Sequence, residues 1–267
     1  MRFFLFIILF PTLSFSSLAQ KSYFEFQIQY YNGFNSEQKL DYFLIFIDQN
    51  VGLPRFAVPN YQLEYADAFS NGFNLAFSHG ILIKNNIALE TSLNYFKSNT
   101  YNSDEFNGNK WDFNSFELNP SIAYQLNLKK ISFNPHAGIL LGLSKIKFKR
   151  HFNDEVTKDF STNRSFSFGY NAGLKSNFKL NSRTELFIDF GLRKLIYTPK
   201  KGSGNEYQTS SNTTIERSFI YYGQSDYNNI EKPSVYNEEN IPKLKNQTTT
   251  SSFYTGLGLR YNVIITQ

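Results

Sequence analysis

The sequence predicts an all-β chain folded as a transmembrane, antiparallel, up-and-down β-barrel of eight strands. Three observations carry that prediction. The segment Ser252–Ile264 alternates strictly: Phe253, Thr255, Leu257, Leu259, Tyr261 and Val263 on one face, and Tyr254, Gly256, Gly258, Arg260 and Asn262 on the other. Successive side chains of a strand point to opposite faces, so this segment needs an apolar medium on one side and a polar, confined one on the other. The connections between such segments alternate long and short along the chain, as in bacterial outer-membrane barrels. The N-terminus reads as an export signal.

That signal consists of Arg2, an apolar run from Phe3 to Phe10, and the small-x-small sequence Ser17-Leu18-Ala19, with cleavage expected after Ala19. The run is too short for a spanning helix, which needs about 20 apolar residues. The expected division is therefore a signal peptide over 1–19 and a barrel domain over 20–267. Cysteine is absent, which excludes a lipoprotein anchor, a disulfide framework and thiolate metal sites. The net charge of +5 is mild and dispersed, with no basic cluster of the kind that binds nucleic acid. Mean hydropathy is −0.40, and no later run approaches a spanning helix. A barrel accommodates such a value because half of each strand faces a polar lumen. Aromatic residues make up 18% of the chain and suit both strands and interfacial girdles.

The first strand is expected over about Tyr23–Tyr30, with Phe24, Phe26, Ile28 and Tyr30 outward. The second covers about Phe69–Ile81, with Phe73, Leu75 and Phe77 outward, and ends in the turn Lys84-Asn85-Asn86, since Asn tolerates left-handed backbone. The third covers about Ile87–Tyr95 and leads to a polar loop through Tyr101–Lys110. The fourth covers about Ser115–Leu126, with Lys129-Lys130 as the next turn. The fifth covers about Ile131–Ser144 and is followed by a charged loop, Lys145–Arg164. The sixth covers about Ser165–Leu180, with Asn181-Ser182-Arg183 turning the chain. The seventh covers about Thr184–Leu195. A long loop rich in Ser, Thr, Asn and Tyr runs from about Tyr197 to Thr248, and the alternating terminal segment is the eighth strand. With both termini on one side, every short connection falls on that side and every long one on the other.

The opposite parity gives the inner face: Glu25, Gln27, Gln29, Asn74, Glu90, Asn94, Glu117, Asn119, Gln125, Asn134, His136, Asn171, Lys175, Asp189, Arg193 and Arg260. Buried charges need partners. The expected lumen network sets Lys175, Arg193 and Arg260 against Glu25, Glu90, Glu117 and Asp189. Glycines at 72, 138, 142, 169, 173, 191, 256 and 258 also fall inward, where a narrow barrel is crowded. Eight strands enclose an interior just filled by side chains, which argues against a general porin.

In this pattern, and in the terminal Gly258-x-x-Tyr261-x-Val263, the chain resembles the small outer-membrane barrels of OmpA/OmpX type. The resemblance implies outer-membrane lipid and lipopolysaccharide as surroundings. It also implies periplasmic chaperones and the barrel-assembly machinery as partners, with Gly258, Tyr261 and Val263 as the assembly signal. That family's chains commonly end at an aromatic residue, whereas this one continues through Ile264-Ile265-Thr266-Gln267. No OmpA-like peptidoglycan-binding domain is expected to follow. The Phe-, Asn- and Lys-rich style is also similar to barrels of bacteria with AT-rich genomes, including PorT-type secretion components.

No catalytic, cofactor or metal residues are assigned. Lipid A deacylases and outer-membrane phospholipases resemble this architecture and use a Ser-His pair. Ser78 and His79 are adjacent and so point to opposite faces, His136 falls in the lumen, and His151 falls in a predicted loop beside Asp154 and Glu155. A nucleophile, base and orienting group must converge, and the sequence brings no such set together. Tyr42–Ile47 is apolar for a loop. It extends a strand above the membrane or covers the barrel mouth, forms a partner-binding edge, or joins Tyr61–Tyr65 in a ten-stranded barrel; Ile215–Tyr222 raises the same choice. Tyr207, Tyr221, Tyr222, Tyr227 and Tyr236 of the last loop suit an adaptable contact surface. The expected function is a non-enzymatic barrel displaying loops for binding, adhesion or envelope assembly. A lipid-modifying hydrolase and a soluble barrel for an apolar ligand are the alternatives.

Overall fold

The computed structural model describes residues 21–34, 38–39, 43–47, 54–57, 69–84, 86–103, 109–152, 156–198, 201–208, 213–222 and 247–263. The expected signal peptide and Tyr61–Tyr65 lie outside them. Eight strands form the barrel: β1 Lys21–Gly33, β2 Gly72–Lys84, β3 Ile87–Ser98, β4 Asn109–Tyr124, β5 Ile131–Phe152, β6 Ser165–Lys179, β7 Thr184–Tyr197 and β8 Gln247–Val263. Each pairs antiparallel with its sequence neighbours, and β8 pairs with both β7 and β1, so the circuit closes. The ten-stranded alternative is excluded by that closure.

Turn chemistry sets one end of the barrel. Lys129 takes left-handed backbone with φ 49° and, with Lys130, joins Leu126–Leu128 to the start of β5. Between β6 and β7 the Asn181 Oδ1 accepts from the backbone N–H groups of Arg183 and Thr184, both at 2.8 Å. A short polar side chain thus substitutes for backbone pairing in a tight turn.

The strands run further at the other end than the alternation in their centres suggests. β5 continues to Phe152, so Lys145–Phe152 is strand rather than loop, and His151 sits opposite Thr157 in a hairpin with Val156–Thr162. The same parity explains it: Ile146 is buried inward while Lys147 and Lys149 are exposed outward. Beyond β5 an open sheet leaves the barrel, passing through Val156–Thr162, Lys201–Gln208, Thr213–Tyr222, Phe43–Ile47 and Pro54–Ala57. Phe43–Ile47 and Ile215–Tyr222 therefore extend a sheet instead of entering the wall. Tyr101–Ser103 likewise pairs back onto β4. At the start of the second predicted strand, Phe69 lies before β2 and turns into the interior, 1% exposed.

The wall is inverted relative to that of a soluble barrel. Phe26, Phe73, Phe77, Ile122, Phe168, Tyr170, Phe190, Phe253 and Leu257 are each about half exposed, while Glu25, Glu90, Lys175, Asp189, Arg193 and Arg260 are at most 4% exposed. Among the described residues no helix is long and apolar enough to cross a membrane; strands present the apolar surface.

Glycines make room for the large inward residues. At Gly191 a Cβ would collide with the Ala172 carbonyl oxygen and the Tyr254 ring, and at Gly258 with the Phe187 ring and the Phe26 carbonyl oxygen. Overpacking a tight interior costs about 1–3 kcal/mol. Gly191→Val is expected to lower the stability of the folded barrel by that amount, read as a lower urea midpoint in vesicles. Gly191→Val combined with Tyr254→Ala should recover part of the loss.

Candidate functional site

The lumen is where the barrel gathers the residues singled out as a charged set, and it is built in storeys. Nearest the turns, Tyr23 packs with Ala88 and Ala123, and its hydroxyl donates to Glu90 Oε1 at 2.5 Å. The Arg260 guanidinium lies over the Tyr23 ring, 3.9 Å from its centroid. The next storey holds the densest charge. Lys175 Nζ reaches Glu25 Oε2 at 2.6 Å and Glu90 Oε2 at 3.2 Å. Arg260 Nη2 meets Glu25 Oε1 at 2.6 Å and Glu90 Oε1 at 3.6 Å.

Two carboxylates and two cations thus form a closed quartet. Glu25 and Arg260 are cross-strand neighbours on β1 and β8, while Lys175 and Glu90 reach in from β6 and β3. Glu185 also joins, 3.8 Å from Arg260 Nη1, and accepts from Asn177 and Asn262. Its inward parity is visible in the sequence, but it is not among the expected network residues.

Above the quartet, Asp189 turns to an amide and a histidine rather than to Lys or Arg. Its Oδ2 accepts from Gln27 at 2.9 Å, and its Oδ1 lies 3.0 Å from His136 Nε2. The Tyr254 hydroxyl lies 3.4 Å from the same His136 nitrogen. Arg193 pairs with Glu117 across the lumen and sits under two rings, with its Cζ 4.8 Å from the Phe96 centroid and 5.2 Å from that of Tyr31. A polar cavity of about 30 Å³ remains between these layers, lined by Asn119, Asn171, His136, Asp189, Lys175 and Arg193. That volume suits a water or two, not a permeant solute. The Asn119 and Asn171 Oδ1 atoms and the Arg193 Nε and Nη1 groups find no partner among the described residues, and bridging water would satisfy them.

The loop end of the lumen is apolar. Tyr31, Phe69, Phe96, Phe113, Leu140, Ile146, Leu195, Tyr197 and Tyr254 form one buried cluster across the barrel. Tyr31 and Phe96 meet edge-on at 5.3 Å between centroids, and Phe113 and Tyr197 do so at 5.8 Å. Hydroxyls stitch the rim: Thr162 Oγ1 lies 2.8 Å from the Tyr197 hydroxyl and accepts from the Ile146 N–H at 2.9 Å. The expected inner face is polar or glycine apart from Tyr254, and the cluster corrects it. Ending the first and third strands at Tyr30 and Tyr95 stops one residue short of Tyr31 and Phe96, which hides the cluster from a reading of the sequence.

Among the described side chains, His79 and His136 do not converge with a serine. Ser78 points inward and donates to Ser92 Oγ at 2.8 Å. His79 faces the lipid side, its ring 4.9 Å from that of Phe24. His136 meets Asp189 and Tyr254. Of the assembly-signal positions, Gly258 is buried against Phe187, Tyr261 is outward and 47% exposed, and Val263 pairs with Ser22.

A closed circuit of eight strands, apolar outside and charged within, decides the class. The fold is that of a small outer-membrane β-barrel. It is similar to a major outer membrane protein from Thermus thermophilus, at 12% identity and a TM-score of 0.47, covering 91% of this chain and 99% of that one. It is similar to Ail, the attachment invasion locus protein of Yersinia pestis, at 14% identity and a TM-score of 0.38, covering 92% and 99%. The outer membrane protease OmpT from Escherichia coli aligns at 7% identity and a TM-score of 0.45, covering 92% and 97%. These likenesses concern fold alone. No family model matches the sequence, and no curated protein does.

Removing one partner of a buried ion pair costs about 3–5 kcal/mol because the other charge stays buried. Lys175→Met strips a cation from both Glu25 and Glu90. It is expected to destabilise the barrel by about that amount, measured by urea unfolding in vesicles. Lys145→Met, on the outer wall, should change the midpoint little.

Proposed function

We propose that this protein is a non-enzymatic outer-membrane barrel whose rigid wall carries a surface-exposed sheet for binding or envelope assembly. The observation that carries the reading is the combination of a lumen filled by the described side chains and a continued sheet. Among the described residues, paired charges and packed rings fill the lumen around a polar cavity of about 30 Å³, which supports reading the wall as a support rather than a conduit. The longest strand, β5, leaves that wall and becomes the first strand of the open sheet through Val156–Thr162 and Lys201–Gln208. Binding residues commonly sit on segments held by a rigid scaffold.

In this reading the turn end is periplasmic, the loop end faces the outside, and residues 1–19 are the export signal. Gly258, Tyr261 and Val263 serve as the signal read by the assembly machinery. Glu25, Glu90, Glu117, Asp189, Lys175, Arg193 and Arg260 have a structural role, holding the strands in one register. Tyr207, 39% exposed in the sheet extension, belongs to its contact surface; Tyr227 and Tyr236 lie outside the described residues.

Two measurements test this. In an outer-membrane fraction the protein should migrate as a compact species in cold detergent and shift on boiling. Recovery in the soluble fraction with no shift would overturn the membrane assignment. A strain lacking the protein, complemented with the intact chain or with one lacking 201–222, tests the loops. Equal membrane levels and equal heat-shift with loss of complementation only in the deletion are expected. Full complementation by the deletion would refute the display role.

A further inference from the structure

The turn end of the barrel carries exposed charge of one sign. Lys129 and Lys130 form the turn before β5 and are both exposed; Lys179 and Arg183 flank the turn before β7 and are also exposed. Lys21 and Lys84 lie in the strand ends at the same side. No Asp or Glu occurs in the three short connections. The acids nearest to them along the strands are Glu25, Glu90 and Glu185, all buried in the lumen and engaged with Lys175 or Arg260. Among the described residues of this rim, no exposed acid neutralises its cations.

Besides the polar turn residues Asn127, Asn181 and Ser182, exposed leucines stand among these cations. Leu126, Leu128 and Leu180 are 46%, 62% and 61% exposed within a few residues of Lys129, Lys130 and Lys179. Tyr124 and Tyr261, outward at the same level, are 44% and 47% exposed. Apolar side chains left open directly beside cations fit a membrane interface, where alkyl stems sit in the acyl boundary and charged heads reach the headgroups. The loop end is different. There Lys147 stands opposite Asp112, and Lys149 between Lys110 and Asp159, in the strand register, so acids that are not buried stand beside the bases; at the turn end the acid opposite Lys179 is Glu185, which is buried in the lumen.

We propose that the turn-end rim binds anionic phospholipid headgroups, with Lys129, Lys130, Lys179 and Arg183 as the groups that meet the phosphate. The leaflet contacted is the one on the side of the short turns, the periplasmic side in the orientation proposed above, and the inference rests on that reading. An anionic polysaccharide would meet the same cations but would leave the leucines in water. The exposed leucines therefore favour lipid.

The test uses the folded full-length chain in a neutral detergent, with native mass spectrometry after adding phosphatidylglycerol, phosphatidylcholine, dextran sulfate or inorganic phosphate. Phosphatidylglycerol is expected to bind about tenfold more tightly than phosphatidylcholine, as one or two cations meeting a single headgroup would give. The variant K129Q/K130Q/K179Q/R183Q should lose that preference, and K97Q/K147Q/K149Q/R164Q, altered at the loop end, should keep it. Equal binding of the two lipids, loss of preference in the loop-end variant instead, or displacement of lipid by inorganic phosphate at equal concentration would each overturn the proposal. So would turn-dependent binding of dextran sulfate without any lipid preference. Heat-modifiable migration of each variant reports folding separately, and the pairs K129Q/K130Q and K179Q/R183Q replace the quadruple variant if it does not fold. A wild-type chain that shows no heat-shift would refute the membrane barrel itself.

Discussion

Glu25 accepts from both Lys175 and Arg260, and the arrangement of the lumen follows from that contact. A carboxylate 2% exposed inside a narrow barrel is tolerable only when its oxygens are occupied by charged donors. Lys175 and Arg260 each reach two carboxylates, so Glu90 enters the same storey. Tyr23 then closes the layer from below, donating its hydroxyl hydrogen to Glu90 and offering its ring face to Arg260. The four charged side chains come from four different strands. The quartet therefore constrains β1, β3, β6 and β8 together.

Above that layer the chemistry changes from paired charges to amides and then to rings. Neutral amides and His136 surround Asp189, Arg193 is sandwiched by a carboxylate and two aromatic faces, and rings fill the remainder. A guanidinium suits this boundary because its edge donates hydrogen bonds while its flat face stacks on aromatic rings. Arg193 thus lets a charged lumen merge into an apolar one within a single side chain. The inward glycines are the complement of this packing: Gly191 and Gly258 are the hollows into which Tyr254 and Phe187 fit.

Much of the wall was legible in the sequence, since lipid on one side and a filled interior on the other impose a two-residue period. Phe24, Phe26 and Ile28 alternate with Glu25, Gln27 and Gln29, which separates the two faces of the wall. Strand ends were harder because the period persists after the polarity signal stops. Tyr31, Phe96 and Tyr197 continue the inward parity, yet as aromatic residues they read as outward or as loop. Lys145, Lys147 and Lys149 read as a charged loop because lysine is a poor strand marker, although Ile146 between them holds the inward register. Pairings across the lumen were not readable at all. The sequence supplies a set of acids and a set of bases, and only the circuit brings Lys175 to Glu25 and Asp189 to His136. The sheet beyond β5 joins segments separated by the whole barrel, such as Phe43–Ile47 and Thr213–Tyr222, and no local pattern announces such a partnership.

The contact between Glu25 and Arg260 spans the seam where the chain's first and last barrel strands meet, 235 residues apart. A slip of one residue in that seam would swing Arg260 onto the lipid side and Leu259 into the charged storey. A slip of two would keep the faces but carry the guanidinium away from its carboxylates. The seam therefore acts as a proofreader of closure. A misaligned barrel loses the Arg260 contacts of the quartet, and only the finished circuit in one alignment pairs all of its buried charges at the base.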